Sequence, residues 1–279
     1  MDRRKFLKRA GLTVLGSGAA GVAYPFLEAK WCHVTRRMIT IRNLPQPFRG
    51  TTVAILADVH HGPFVPMAYI QHVVSMTNAL KPDIIALLGD YVHRDDTYIA
   101  PAIDELGKLN GKFGRFAVRG NHDNRDYHGR RSFRPHSQAA LADAQIPDLN
   151  NTGVWIERGG ARLRICGVGD LWTDHQDLQA ALGDANERDA VLLLSHNPDY
   201  VETIRDPRVS LILSGHTHGG QIILPGYGAP VVPSRYGQKY LYGLVEGPSC
   251  PVFVTRGVGT INPPVRFLCR PEVALLTLV

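Results

Sequence analysis

This sequence predicts an α/β domain with layered, mixed sheets, on three observations. Short apolar runs of strand length alternate with stretches of helical spacing from residue 51 onward. Five of those runs stop at an acidic, amide or imidazole side chain. The last seventy residues read as strand-rich, with turns marked by Gly and Pro.

Thr51–Ala57 (TTVAILA) is a buried-strand run that ends at Asp58. Met67–Leu80 carries helical spacing and stops at Lys81-Pro82. Asp83–Leu88 is a second strand, ending at Gly89-Asp90. The helix over Pro101–Leu109 opens on proline in its first turn, where the missing N–H costs no hydrogen bond. Phe113–Val118 is a third strand and runs into Arg119-Gly120-Asn121-His122. A polar, Arg-rich loop at 124–135 precedes a helix at Ser137–Ala144. Strands follow at Gly153–Glu157, Arg162–Val168, Ala190–Leu194 and Val209–Leu213. The last two end at Ser195-His196 and Ser214-Gly215-His216. No repeat or low-complexity stretch interrupts the series.

Hydrophobic residues at 44% and charged residues at 20% of 279 exclude a disordered chain, a fibrous repeat and a multi-span membrane protein. The net charge of +6 comes from 31 basic and 25 acidic residues. Residues 1–30 hold six of the basic ones and two of the acidic, which leaves 25 against 23, or +2, on the body. That balance disfavours nucleic-acid binding as the main function. The basic N-terminus reads instead as an address. Arg3-Arg4-Lys5-Phe6-Leu7-Lys8 precedes a Gly/Ala-rich, weakly apolar run to about Leu27, the pattern of a twin-arginine (Tat) export signal. The division expected is 1–30 as signal or membrane anchor, 31–49 as connector and 50–279 as the domain. The destination is the periplasm or the outer face of the cytoplasmic membrane, whether the leader is cut or retained. Cys32, Cys166, Cys250 and Cys269 have no C-x-x-C spacing. Cys250 and Cys269 either pair outside the cytoplasm or stay as buried thiols.

Asp58-x-His60, Asp90, Asn121-His122, His196 and His216-x-His218 all fall at strand ends, where the loops of an open α/β sheet converge on a ligand. Oxygen and nitrogen donors without thiolate suit Mn, Fe, Zn or Ni. Seven donors exceed one tetrahedral ion but fit two ions that share a carboxylate.

The ordered series ADVHHG, LLGDYV, RGNHD, LSHNPD and SGHTHGGQ resembles the calcineurin-like metallophosphoesterase superfamily over about residues 50–279. With the leader and the closing TRGVGTINPPVRFLCRPEVALLTL, it most resembles the bacterial Tat-exported phosphodiesterase branch. The resemblance implies a four-layer α/β/β/α sandwich of two mixed sheets with two divalent ions (Mn, Fe or Zn) at the strand ends. It assigns Asp58, His60 and His218 to one ion, Asn121, His196 and His216 to the other, and Asp90 to both. It implies in-line attack on phosphorus by a hydroxide bridging the ions, with His122 assisting the leaving oxygen. The substrate implied is a phosphodiester or a pyrophosphate, and the same superfamily includes a membrane-associated UDP-2,3-diacylglucosamine pyrophosphate hydrolase and non-catalytic, metal-stabilised scaffolds. One departure stands out. Several branches carry Asp where this chain has His93, so Asp123 or a backbone carbonyl is left to orient His122. His61 either touches substrate or is a loop histidine. Arg235 either meets phosphate or is a surface residue, and the 124–135 loop either faces a bilayer or anionic substrate or is solvated.

Overall fold

The computed structural model describes residues 23–126 and 128–279. Its strands are β1 (His33–Ile39), β2 (Thr52–Leu56), β3 (Ile84–Leu87), β4 (Arg115–Ala117), β5 (Thr152–Arg158), β6 (Ala161–Gly167), β7 (Ala190–Leu194), β8 (Leu211–Ser214), β9 (Gly243–Glu246), β10 (Pro251–Val254) and β11 (Glu272–Leu278). They form two sheets, ordered β1-β11-β2-β3-β4 and β5-β6-β7-β8-β10-β9. In the first, β2, β3 and β4 are parallel and β11 runs against β2. In the second, β6, β7, β8 and β10 are parallel, flanked by antiparallel β5 and β9.

Strand periodicity sorts the apolar residues into layers. In β2 and β3, Val53, Ile55, Ile84 and Ala86 meet Ile165, Leu192, Leu194 and Leu213 of the other sheet. Their alternates Ala54, Leu56, Ile85 and Leu87 pack on the helices Met67–Ala79, Ile99–Leu106 and Arg134–Asp143. On the far face of the second sheet, Val191, Leu193, Ile212 and Val252 are covered by Leu182 and Val201. Strands buried on both faces read as unbroken apolar runs for this reason. The result is the α/β/β/α order. The fourth layer is thin, made of the short helix Leu178–Leu182 and the 3-10 segment Pro198–Glu202.

Four expectations need correction. The segment 31–49 is not a connector. Residues 33–39 form β1, paired in parallel with β11, and Ile41, Leu44 and Phe48 are buried. The strand escaped notice because β1 is a sheet edge whose Arg36, Arg37 and Met38 face solvent, so it lacks apolar alternation. The helix expected to open at Pro101 starts at Ile99, with proline still inside the first turn. The helix expected at Ser137 starts at Arg134. Finally, the C-terminal part is mostly loop. Residues 215–242 contain no strand, because their Gly and Pro residues build walls around the site instead. All four cysteines are buried and free, so Cys250 and Cys269 are not bonded. Among the described residues no helix is long and apolar enough to cross a membrane. The twin-arginine motif and residues 1–22 lie outside the described residues.

Candidate metal centre

The loops after β2 and β3 zip together before any side chain is considered. Asp58 N–H donates to the Gly89 carbonyl (2.9 Å), His60 N–H to the Asp90 carbonyl (3.0 Å) and His61 N–H to the Tyr91 carbonyl (2.9 Å). Holding the chain this way requires unusual backbone. Asp58, His60, Asp90, His216 and His218 all have φ between +49° and +70°. Such left-handed residues cost about 1–2 kcal/mol each and persist where the surroundings over-determine them. Gly120 makes room for Asp90, since a Cβ there would lie 2.2 Å from Asp90 Oδ1. Gly257 does the same for Asp58, whose Cβ would be 2.7 Å away.

On this frame the donors converge. His60 Nε2 lies 3.1 Å from His218 Nε2 and 3.5 Å from Asp90 Oδ2. His218 Nε2 is 3.7 Å from Asp58 Oδ1. On the other side, His196 Nε2 is 3.3 Å from the same Asp90 Oδ2 and 3.1 Å from His216 Nδ1. With metal–nitrogen bonds of about 2.0–2.1 Å, two imidazole donors on one cation stand roughly 3 Å apart. The donor atoms therefore group as Asp58, His60 and His218, and as Asp90, His196 and His216. Asn121 lines the same cavity, with its Oδ1 buried and without a hydrogen-bond partner. An orphaned amide oxygen beside four imidazoles and two carboxylates fits a divalent cation. The donor set holds no sulfur.

The electrostatics of three of the four histidines agree with that fit. Burial pushes His216 down to about 3 and drives His60 and His218 well below the ordinary histidine range, so all three present neutral lone pairs at pH 7. His196 runs the other way. Burial alone would lower it, but the facing Asp90 raises it to about 10. Burial works against the Asp90 anion too, yet His196 and His122 hold that carboxyl well below its usual range. Burial pushes Asp58 up to about 7. His196 Nδ1 sits 2.7 Å from the Leu88 carbonyl, which fixes the ring and leaves Nε2 toward the site.

A cavity of about 300 Å³ opens over these groups. His122 stands on its wall, its backbone N–H donating to Asp90 Oδ1 (2.9 Å) and its ring centroid 5.0 Å from that of His60. All eight residues singled out from the sequence thus come together. Several others fare differently. Asp123 does not orient the His122 ring, because its carboxylate accepts the N–H groups of Asp90 (2.7 Å), Tyr91 (2.8 Å) and Gly120 (2.8 Å). His93 stacks on His122 with centroids 6.1 Å apart. His61 is neither exposed nor in the cavity. It is buried, and its Nδ1 holds the Val65 carbonyl at 2.9 Å. Arg235 is exposed and outside the cavity. From the basic loop, Arg125 and Asp126 reach the cavity, while Arg131 and Arg134 pair with Asp96 and Asp174. Trp172, Thr173, Pro233 and Ile261 also line it. Sequence reasoning missed these four because none ends an apolar run.

The fold and this histidine–carboxylate constellation define a metallophosphoesterase. Residues 51–220 match the family model described as calcineurin-like phosphoesterase, and the chain belongs to that family of metal-dependent phosphoric ester hydrolases. It is 33% identical over 284 residues to the uncharacterized metallophosphoesterase YkuE of Bacillus subtilis, covering all of this chain and 98% of that one. It is 33% identical over 289 residues to the phosphodiesterase YaeI of Escherichia coli, with both chains fully covered.

Proposed function

We propose that this protein is a binuclear-metal-dependent phosphodiesterase working outside the cytoplasm. The observation that carries the reading is the Asp90 carboxylate, one oxygen of which stands 3.5 Å from His60 Nε2 and 3.3 Å from His196 Nε2. One oxygen shared by two donor clusters is what a bridging ligand needs. Asp58, His60 and His218 would hold one cation and Asn121, His196 and His216 the other, with Asp90 between them. When bound, the pair would supply a water-derived nucleophile at neutral pH and neutralise charge on the phosphate oxygens. The chain does the rest. The left-handed strand-end loops keep the donors from relaxing apart, so little reorganisation accompanies reaction. His122 gives a proton or hydrogen bond to the leaving ester oxygen, a role its position on the cavity wall supports. Trp172, edge-on to His216 at 4.3 Å, shields that ring from solvent.

A diester substrate is favoured by the likeness to a protein named a phosphodiesterase. The scaffold alternative is disfavoured because all seven donor residues are present and His122 stands on the wall of the cavity over them. Export rests on Arg3 and Arg4. The test is hydrolysis of bis-p-nitrophenyl phosphate and p-nitrophenyl phosphate with Mn²⁺ and with a chelator. Chelator-sensitive preference for the diester is expected, and dominant monoester cleavage would overturn the diesterase reading. For export, R3K/R4K should retain a reporter fusion in the cytoplasm, and unimpaired export of that variant would remove the address.

A further inference from the structure

Beside the metal cavity lies a second groove of about 270 Å³ that shares His218, Pro233 and Ile261 with it. Ile222, Pro263, Pro230 and Val231 give its walls a largely apolar lining, with Thr217, Gln221 and Asn262 among them. Apart from the shared residues, the metal cavity differs in carrying charged and polar groups, Arg125, Asp126 and Thr173, beside Trp172. A phosphorus atom held at the metal donors would therefore have polar groups on the cavity wall and a largely apolar trough beside it.

The trough is preformed. Gln221 forms part of its floor, and its side chain accepts the Ile261 N–H (2.7 Å) and donates to the Pro263 carbonyl (3.3 Å), tying one wall down. That wall is also bridged to the C-terminal segment, where Ile223 N–H donates to the Phe267 carbonyl (2.8 Å) and Phe267 N–H to the Gln221 carbonyl (2.9 Å). The Pro230–Val231 wall approaches because residue 220 is glycine; a Cβ there would lie 2.3 Å from that of Ala229. Ser234 Oγ and Arg235 N–H, both bonded to the Asp199 carboxylate (2.6 and 2.8 Å), anchor the end of that wall. A preformed apolar trough that opens onto a phosphate site binds with a reduced ordering cost.

We infer that the substrate is an amphiphilic phosphodiester whose apolar alcohol arm lies in the Ile222–Val231–Ile261–Pro263 groove while the other arm faces Arg125 and Thr173. This rests on the phosphodiesterase reading and narrows it. Polar headgroup diesters without an apolar arm would leave the trough wet and react more slowly.

The experiment uses the full chain with Mn²⁺ and a series of p-nitrophenyl alkyl phosphates, from methyl to butyl to octyl, each below its micelle concentration. The expected kcat/KM rises about twofold per methylene, less than for complete burial because the groove is open on one side. Val231→Asp and, separately, Ile222→Ser should flatten that rise. Neither residue faces the metal cavity, and Val231 is 75% exposed, so its substitution should not threaten folding. Calorimetry provides a readout apart from turnover: octylphosphonate should bind with a more negative heat-capacity change than methylphosphonate, and Val231→Asp should remove the difference. Cleavage of the methyl ester with no chain-length effect overturns this inference and leaves the phosphodiesterase reading intact. Absence of chelator-sensitive cleavage across the series overturns both. A rise seen only above the micelle concentration assigns the preference to an interface and overturns the groove.

Discussion

Asp123→Asn offers the most direct probe of how the chain holds the Asp90 carboxylate. Asp123 is buried, and three backbone N–H groups, of Asp90, Tyr91 and Gly120, converge on it at 2.7–2.8 Å. Burial and the nearby Asp90 charge push it up to about 7, while the Gly120 and Tyr91 N–H groups pull toward the anion. An asparagine can keep its oxygen toward the Asp90 and Gly120 donors but must then aim its NH2 at the Tyr91 N–H. That leaves two buried donors facing each other, at about 1–3 kcal/mol each. A total of about 2–6 kcal/mol should lower Tm by roughly 4–24 °C for a chain of this size. Because Tyr91, the residue next to Asp90, loses its tether, metal affinity should fall by about 10–100-fold, the usual effect of disturbing an outer-shell partner. Thermal melts of chelated protein and a Mn²⁺ titration read the two effects. A variant melting within about 2 °C of wild type with unchanged affinity would refute the tether, since neither unsatisfied donors nor a loosened carboxylate could then be present.

Four further outcomes follow. His122→Ala should reduce kcat by about 10²–10⁴-fold on an alkyl diester and much less on a nitrophenyl leaving group, with metal content unchanged; an equal loss on both would remove the leaving-group role. Asp90→Asn should lower bound metal below that of wild type, read by elemental analysis, and undiminished content would contradict a shared ligand. His93 is buried beside His122 and pushed down to about 4. Between pH 6.5 and 4 the unfolded chain therefore takes up a proton that the folded chain refuses, so stability falls as pH falls, by on the order of 1–3 kcal/mol. His93→Phe should make the Tm–pH curve of chelated protein shallower over that window, and an unchanged slope would refute the assignment. Glu28, fully buried, accepts the N–H groups of Leu268 (3.0 Å) and Cys269 (2.6 Å), and the Arg266 guanidinium donates both to the Cys269 carbonyl (3.1 Å) and to the His218 carbonyl (3.2 Å). Glu28→Ala should cost about 2–5 kcal/mol through two stranded donors and weaken metal binding, whereas Glu28→Gln should recover much of both.

The parts of the fold that were legible in the sequence are those whose burial is two-sided. Ala190–Leu194 is read without error because β7 is covered on both faces and every residue is apolar. Donor residues were legible for a related reason: parallel strands deliver their last polar residue to one edge, so Asp58, Asp90, His196 and His216 could be read in order. What was hidden lies at edges and in loops. β1 is an edge strand with arginines on its open side, and Trp172 and Ile261 reach the cavity from loops without periodicity. The roles of His61 and Asp123 were hidden because both are decided by backbone partners: the Val65 carbonyl for one, three N–H groups for the other.

The account stands on two cations sharing Asp90, and a titration measures that directly. Chelated protein is supplied with Mn²⁺ in steps, and bis-p-nitrophenyl phosphate hydrolysis is followed against bound metal. The account predicts no turnover without metal and a rate that saturates at two ions per chain. Saturation at one ion, or hydrolysis indifferent to the chelator, would contradict it.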